Sequence, residues 1–185
     1  MSQTYYLTTP LKEEDVTKLN SGDIVYLSGI IYSARDAAHK RLVDLINEGK
    51  ELPFDLEGSV IYFVGPTPPK PGEPIGSAGP TTSYRMDTYS PTLLKHGSRG
   101  MIGKGKRNAD VINACVEHKG VYFGATGGAG ALLGKKIISA EVIAYPELGP
   151  EAVRRLEVKD FPVTVINDTK GNDLYQMGRS QYEIK

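Results

Sequence analysis

Two adjacent hydroxyls and a guanidinium follow a proline-rich loop in the run Gly79-Pro80-Thr81-Thr82-Ser83-Tyr84-Arg85-Met86-Asp87. Gly79 and Pro80 bend the chain and delay a helix, so Thr81 or Thr82 is expected to cap the segment that follows. Exposed backbone N–H groups at such a start attract carboxylate or phosphate, and Arg85, one turn on, can grip the same anion through two parallel hydrogen bonds. The plainer alternative, a capped helix with a solvated arginine, stays open at this point. Two more cations have comparable positions: Arg35 at a helix start after a strand, and Lys104 after another strand. In α/β sheets ligands bind beyond the carboxyl ends of strands, so the three loops are expected to converge on a site for a small polyanion. Arg35 and Arg85 would present planar forks to two carboxylates across its mouth, their like charges repelling when it is empty. Lys104 would add a compact charge near the reacting carbon.

Other motifs fail on inspection. Gly124 to Gly130 follows a strand and precedes a helix as a dinucleotide fingerprint would, but Leu133 stands where the third glycine belongs. Gly100 to Lys106 has phosphate-loop spacing, but Arg107 replaces the magnesium-binding hydroxyl. Both read as close backbone packing, with a stand-alone anion- or nucleotide-binding module as the non-enzymatic alternative. His39, His96 and His118 lack metal-ligand spacing, so no metal ligand is assigned.

Around these residues the pattern alternates. Ile24 to Tyr32 reads as a buried strand. Ser33 and Asp36 have capping-box spacing for a helix with Ala38, Leu42, Leu45 and Ile46 on one face, closed by Gly49. Val60 to Val64 is a second strand, and Pro66 to Pro80, holding six of the twelve prolines, must be a long loop. Met86, Tyr89 and Leu93 give a weak helical stripe restarted at Ser90. Gly100 to Gly103 is a strand, and Val111, Ile112, Cys115 and Val116 mark a helix that buries the cysteine. Val121 to Ala125 and Ile137 to Ala144 are further strands with a short helix between them, Pro150 to Leu156 is expected to be helical, and Phe161 to Ile166 is a last strand. The alternation implies an α/β sandwich, and the length suits one domain over 1–185.

Basic and acidic residues balance at 22 each, which argues against nucleic acid or an anionic membrane as partner, so an anion site must be local. The single cysteine, Cys115, excludes an internal disulfide and cannot alone hold a thiolate cluster. With neither a membrane-spanning apolar run nor a signal-type core, the chain is read as cytoplasmic.

The runs Ala34-Arg35-Asp36-Ala37-Ala38-His39-Lys40, Gly79 to Asp87, Gly103-Lys104-Gly105, Tyr145-Pro146-Glu147-Leu148-Gly149 and Lys170-Gly171-Asn172-Asp173 resemble, in order, the iron–sulfur class I fumarases. The likeness is closest to their β subunit, equivalent to the C-terminal domain of the single-chain enzymes. The resemblance implies reversible hydration of fumarate to L-malate at a 4Fe-4S cluster that a partner α subunit ligates. It also implies a swivelling β/β/α three-layer domain with a mainly parallel central sheet. Carried over by motif, Arg35 and Arg85 bind substrate carboxylates, Thr81 is the catalytic base, Thr82 its neighbour in the site, and Lys104 a charged active-site contact. The implied assembly is a dimer of heterodimers, or a homodimer on its own. Ser83-Tyr84 is closer to tartrate dehydratase β subunits, whereas the run from Ala34 to His39 lacks the cysteines of that segment in the tartrate enzymes and is fumarase-like.

Overall fold

The computed structural model describes residues 2–126 and 128–182. Its strands are β1 (Thr4–Thr8), β2 (Ile24–Ser33), β3 (Val60–Tyr62), β4 (Gly100–Gly103), β5 (Val121–Gly124), β6 (Ile137–Ala144) and β7 (Val153–Asn167). Six helices accompany them among the described residues: α1 (Glu13–Thr17), α2 (Asp36–Asn47), α3 (Ser90–Lys95), α4 (Ala109–Glu117), α5 (Gly130–Gly134) and α6 (Leu174–Tyr182).

β1 to β5 lie side by side in parallel, as connections through α2, α3 and α4 require. The expected three-layer domain with an open, mainly parallel sheet is nevertheless incorrect. β7 pairs antiparallel with β5 at one edge and with β2 at the other, so β2, β3, β4, β5 and β7 close into a five-stranded mixed barrel. Closure follows from the length of β7. Its 15 residues bridge both edges, with a register shift opposite Leu27 and Gly29 that helps bend it around. β1 flanks β2, and β6 flanks β7.

Alternation along the strands separates two cores. Val25, Leu27 and Ile31 of β2, Val60 and Tyr62 of β3, Ile102, Val121, Phe123, Leu156, Phe161 and Val163 fill the barrel. Ile61, Met101 and Tyr122 point outward and meet Ala38 and Leu42 of α2, Leu93 and Leu94 of α3, and Val111 and Cys115 of α4. Ile75 and Ala78 of the proline-rich loop join the barrel core, and Tyr62 donates its hydroxyl to the Ala78 carbonyl at 2.5 Å. That loop is pinched shut by Thr67, whose N–H donates to Ser77 and whose Oγ1 accepts from the Ser77 N–H.

Two local expectations change. Ser33 does not cap α2; its Oγ accepts the Arg154 N–H at 3.2 Å, and Arg35 occupies the N-cap without a side-chain cap bond. Pro150 to Leu156 is not helical. A 3-10 segment ends at Glu151, and Val153, Leu156 and Val158 then alternate with exposed charges as half of β7. The Lys170 to Asp173 motif is structural. At the amino-terminal rim of the parallel strands, buried Asp168 accepts from the Ser21 N–H and hydroxyl, the Lys170 and Asn172 N–H groups and the Asn172 amide, while Lys170 Nζ donates to the Leu19 carbonyl. Burial alone would raise the Asp168 carboxyl, but these bonds hold it below the usual range.

Candidate active site

At the opposite rim, the carboxyl ends of β2, β3 and β4 release the loops that carry the chemistry-bearing residues. After β3 the chain returns from the proline loop at Pro80, which bridges Val64, and the Thr81 N–H donates to the Phe63 carbonyl at 2.6 Å. Thr82 then pairs in parallel with Lys104. The Lys104 N–H donates to the Thr81 carbonyl at 3.3 Å, and the Ser83 N–H to the Lys104 carbonyl at 2.9 Å. The threonines therefore run as a short extension of the sheet beside the end of β4. Neither hydroxyl acts as the expected cap, since Thr82 precedes the 3-10 turn Ser83–Met86 without a side-chain cap bond. Both threonines are half-buried, and Lys104 is exposed with no side-chain partner among the described residues.

A buried layer holds these two segments in register. Ser83 Oγ and the Tyr122 hydroxyl lie 2.9 Å apart, and Tyr122 donates to the Gly105 carbonyl at 2.9 Å, so β5 grips both the threonine turn and the lysine loop. Gly103 is obligatory here: a Cβ would strike Ser83 Oγ and come within 2.9 Å of the Phe63 ring. Below, the buried Arg107 guanidinium donates to Asp87 Oδ1 and Ser90 Oγ, each at 2.6 Å, and lies over the rings of Phe63 and Tyr122. The Arg107 that spoils the phosphate-loop motif is thus a packed ion-pair partner beneath the site.

Arg35 and Arg85 are both held by carboxylates near the amino-terminal end of α2. Arg35 is the N-cap, and Arg85 Nη2 reaches Asp36 Oδ2, on the next residue, at 2.5 Å. Arg35 Nη2 contacts Glu151 Oε1 at 3.2 Å, and its stem crosses Gly65, where a Cβ would sit 2.7 Å from Nη1. Each guanidinium therefore carries a carboxylate of its own chain, which relieves the repulsion expected of an empty site. The Tyr145 to Gly149 run forms the adjoining wall, with Glu147 paired to Arg41 and Arg41 over the Tyr145 ring.

Sequence reading named His39, on the first turns of α2, but gave it no site role. It is fully buried, Nδ1 lies 3.0 Å from the Arg35 carbonyl, and its ring meets Phe63 edge-on at 5.2 Å. Burial, reinforced by the Arg107 charge, lowers its pKa to about 4 despite the Arg35 bond and the Asp36 charge. Three buried polar atoms at this helix end have no hydrogen-bond partner among the described residues: Arg35 Nε, Asp36 Oδ1 and His39 Nε2. The signal available beforehand was a histidine four residues after a candidate arginine, one helical turn away.

The glycine-rich turn after β5 reads as close backbone packing: a Cβ on Gly130 would lie 3.0 Å from the Gly79 nitrogen, and the Ala125 N–H donates to the Gly103 carbonyl at 2.9 Å. Gly130 accepts the Ala78 N–H and so ties α5 to the proline loop, while Gly127 lies outside the described residues. Among the described residues no group of three or more His, Cys, Asp or Glu side chains is arranged to hold a metal. Cys115 is buried, its thiol pushed up to about 12 chiefly by burial, which does not suit a thiolate ligand. No helix of the described residues is long and apolar enough to cross a membrane.

The family described as fumarase C-terminus matches residues 2–178. The class I anaerobic fumarate hydratase of Escherichia coli is 43% identical over 174 residues, 92% of this chain and 32% of that protein. Fumarate hydratase 2 of Leishmania major is 42% identical over 156 residues, 83% of this chain and 28% of its own length. The putative L(+)-tartrate dehydratase subunit beta of Methanocaldococcus jannaschii is 38% identical over 185 residues, covering 96% of this chain and 95% of that subunit. The chain thus spans about a third of the length of these fumarate hydratases and nearly all of the β subunit.

Proposed function

The chain belongs to the fumarase C-terminus family, and we propose that it is the β subunit of a class I fumarate hydratase, hydrating fumarate reversibly to L-malate together with an iron–sulfur α subunit. In this reading residues 1–185 are one domain of a cytoplasmic, heteromeric hydro-lyase. The 4Fe-4S cluster belongs to the partner, since the only cysteine here is buried and hard to ionise. The observation that supports the reading is the convergence of two arginine forks at the start of α2 with a hydroxyl pair and an unpaired lysine on adjacent strand ends.

A linear dicarboxylate would exchange with Glu151 and Asp36 for the forks of Arg35 and Arg85, each fork taking one carboxylate. Removing a proton from the carbon beside a carboxylate moves charge onto that carboxylate, where fixed cations stabilise it most. Thr81 would carry the proton at its hydroxyl, Thr82 beside it, with the Lys104 ammonium favouring the deprotonated oxygen.

L(+)-tartrate dehydration is the second reading, favoured by the near-complete match to the Methanocaldococcus β subunit and by Tyr84, 66% exposed between Thr82 and Arg85. Copurification with an iron–sulfur partner followed by assays on fumarate, tartrate and mesaconate tests both. Fumarate hydration supports the first reading, tartrate turnover alone replaces it with the second, and an assembled complex inert on all three rejects the hydro-lyase.

A further inference from the structure

The carbonyl of Arg35 receives two bonds from the same residue, the His39 N–H at 2.8 Å and His39 Nδ1 at 3.0 Å. The first is the ordinary opening bond of α2. The second fixes the tautomer: a carbonyl only accepts, so Nδ1 must carry the proton, and in the neutral ring Nε2 is then bare. Nε2 is buried and has no hydrogen-bond partner among the described residues. Around the ring stand Phe63 from the end of β3, Tyr89 from the start of α3, the Arg107 cation before α4, and Asp36 on α2 itself. A second proton would place a cation beside Arg107 in a site without water-like screening, so the ring stays neutral and its donor stays on Nδ1.

The peptide plane held in this way joins Arg35 to Asp36. Arg35 carries one fork, and Asp36 receives Arg85, which carries the other. We propose that His39 is a positioning residue for both forks: its Nδ1–H clamps the Arg35–Asp36 peptide and thereby sets the spacing at which the two carboxylates of a substrate are gripped. Phe63 extends the clamp to the chemistry, because its ring meets His39 while its carbonyl accepts the Thr81 N–H. The inference deepens the dicarboxylate reading and rests on it, and its test keeps the two apart.

In the full-length chain, nitrogen-15 spectra report the His39 tautomer and the Arg35 Nε–H resonance without any substrate. The expected result is a neutral Nδ1–H ring, and an Arg35 signal displaced in His39→Gln but not in His39→Asn, whose amide nitrogen can replace Nδ1. In the assembled enzyme, His39→Gln should raise KM for the dicarboxylate roughly 10-fold with kcat little changed, and His39→Asn should restore KM to within about threefold of the parent. Thermal melts confirm that both variants are folded. A protonated Nε2, or equal effects of the two variants on the Arg35 signal and on KM, overturns the positioning role. If the assembled parent turns over no dicarboxylate, the reaction is wrong, and the two spectra still decide whether His39 clamps Arg35.

Discussion

The two rims of the barrel both bury polar groups but distribute them differently. At the amino-terminal rim, one carboxylate, Asp168, gathers donors from Ser21, Lys170 and Asn172 and ties the end of β7 to the start of β2. At the carboxyl-terminal rim, Arg35 Nε, Asp36 Oδ1 and His39 Nε2 are buried within one helical turn of each other without hydrogen-bond partners among the described residues, whereas the unpartnered atoms of the other rim, Ser59 Oγ, Arg99 Nε and Asn167 Oδ1, are spread over the ends of β3, β4 and β7. A satisfied network fixes a fold, whereas unsatisfied groups held in place by packing are costly unless a ligand or a mechanism uses them. The clustering at one helix end, beside two guanidinium groups, is what singles out the carboxyl-terminal rim as the candidate site.

Substitutions can break that division. The largest effect is expected from Thr81→Ala in the assembled enzyme: kcat should fall about 100- to 10,000-fold with KM nearly constant and the melting temperature within a degree or two. Nearly normal turnover would leave Thr81 as a wall of the site. On the other rim, Asp168→Ala strands several buried donors and should cost about 3 kcal/mol in urea unfolding, with unchanged activity per folded molecule. An activity loss there with stability intact would reverse the assignment of the rims.

Acid sharpens the comparison. His39 titrates near 6.5 in the unfolded chain but at about 4 in the folded one. The unfolded state therefore binds the extra proton first, and about 3 kcal/mol of stability present above pH 6.5 should drain away as pH falls towards 4. His39→Asn should flatten that slope in urea titrations, and an unchanged slope would mean that the ring is not held neutral. Asp168, with its carboxyl lowered, contributes in the same sense but further into acid, losing its share only as pH drops through its folded value. The smallest effect is expected from Arg35→Lys. It keeps the charge and loses the fork, weakening dicarboxylate binding by about 1.5 to 3 kcal/mol by calorimetry while leaving stability within about 0.5 kcal/mol.

Much of the candidate site was legible because strand ends are legible. The apolar runs at Ile24, Val60 and Gly100 located β2, β3 and β4, and in a parallel arrangement their carboxyl ends must share a rim, so Arg35, the threonine pair and Lys104 could be grouped without coordinates. The closure was not legible. Val153 to Lys159 spaces Val153 and Leu156 as a helix would, and only pairing with β2, more than a hundred residues earlier, makes it a strand. The hidden supports of the site had the same cause. Ser83 and Tyr122 are 39 residues apart, and nothing local in either position announces that their hydroxyls meet.

That late strand also dictates when the molecule can exist. The edge of β2 is covered only by residues 154–164, more than a hundred residues later, so the barrel cannot shut until β7 has left the ribosome. Until then β2 and β5 both present open edges to neighbouring chains, a long-range pairing that folds slowly and invites misassociation. Both rims are completed in that one event. A nascent or truncated chain ending before Val153 would hold the residues of the site without the closure that brings them into register.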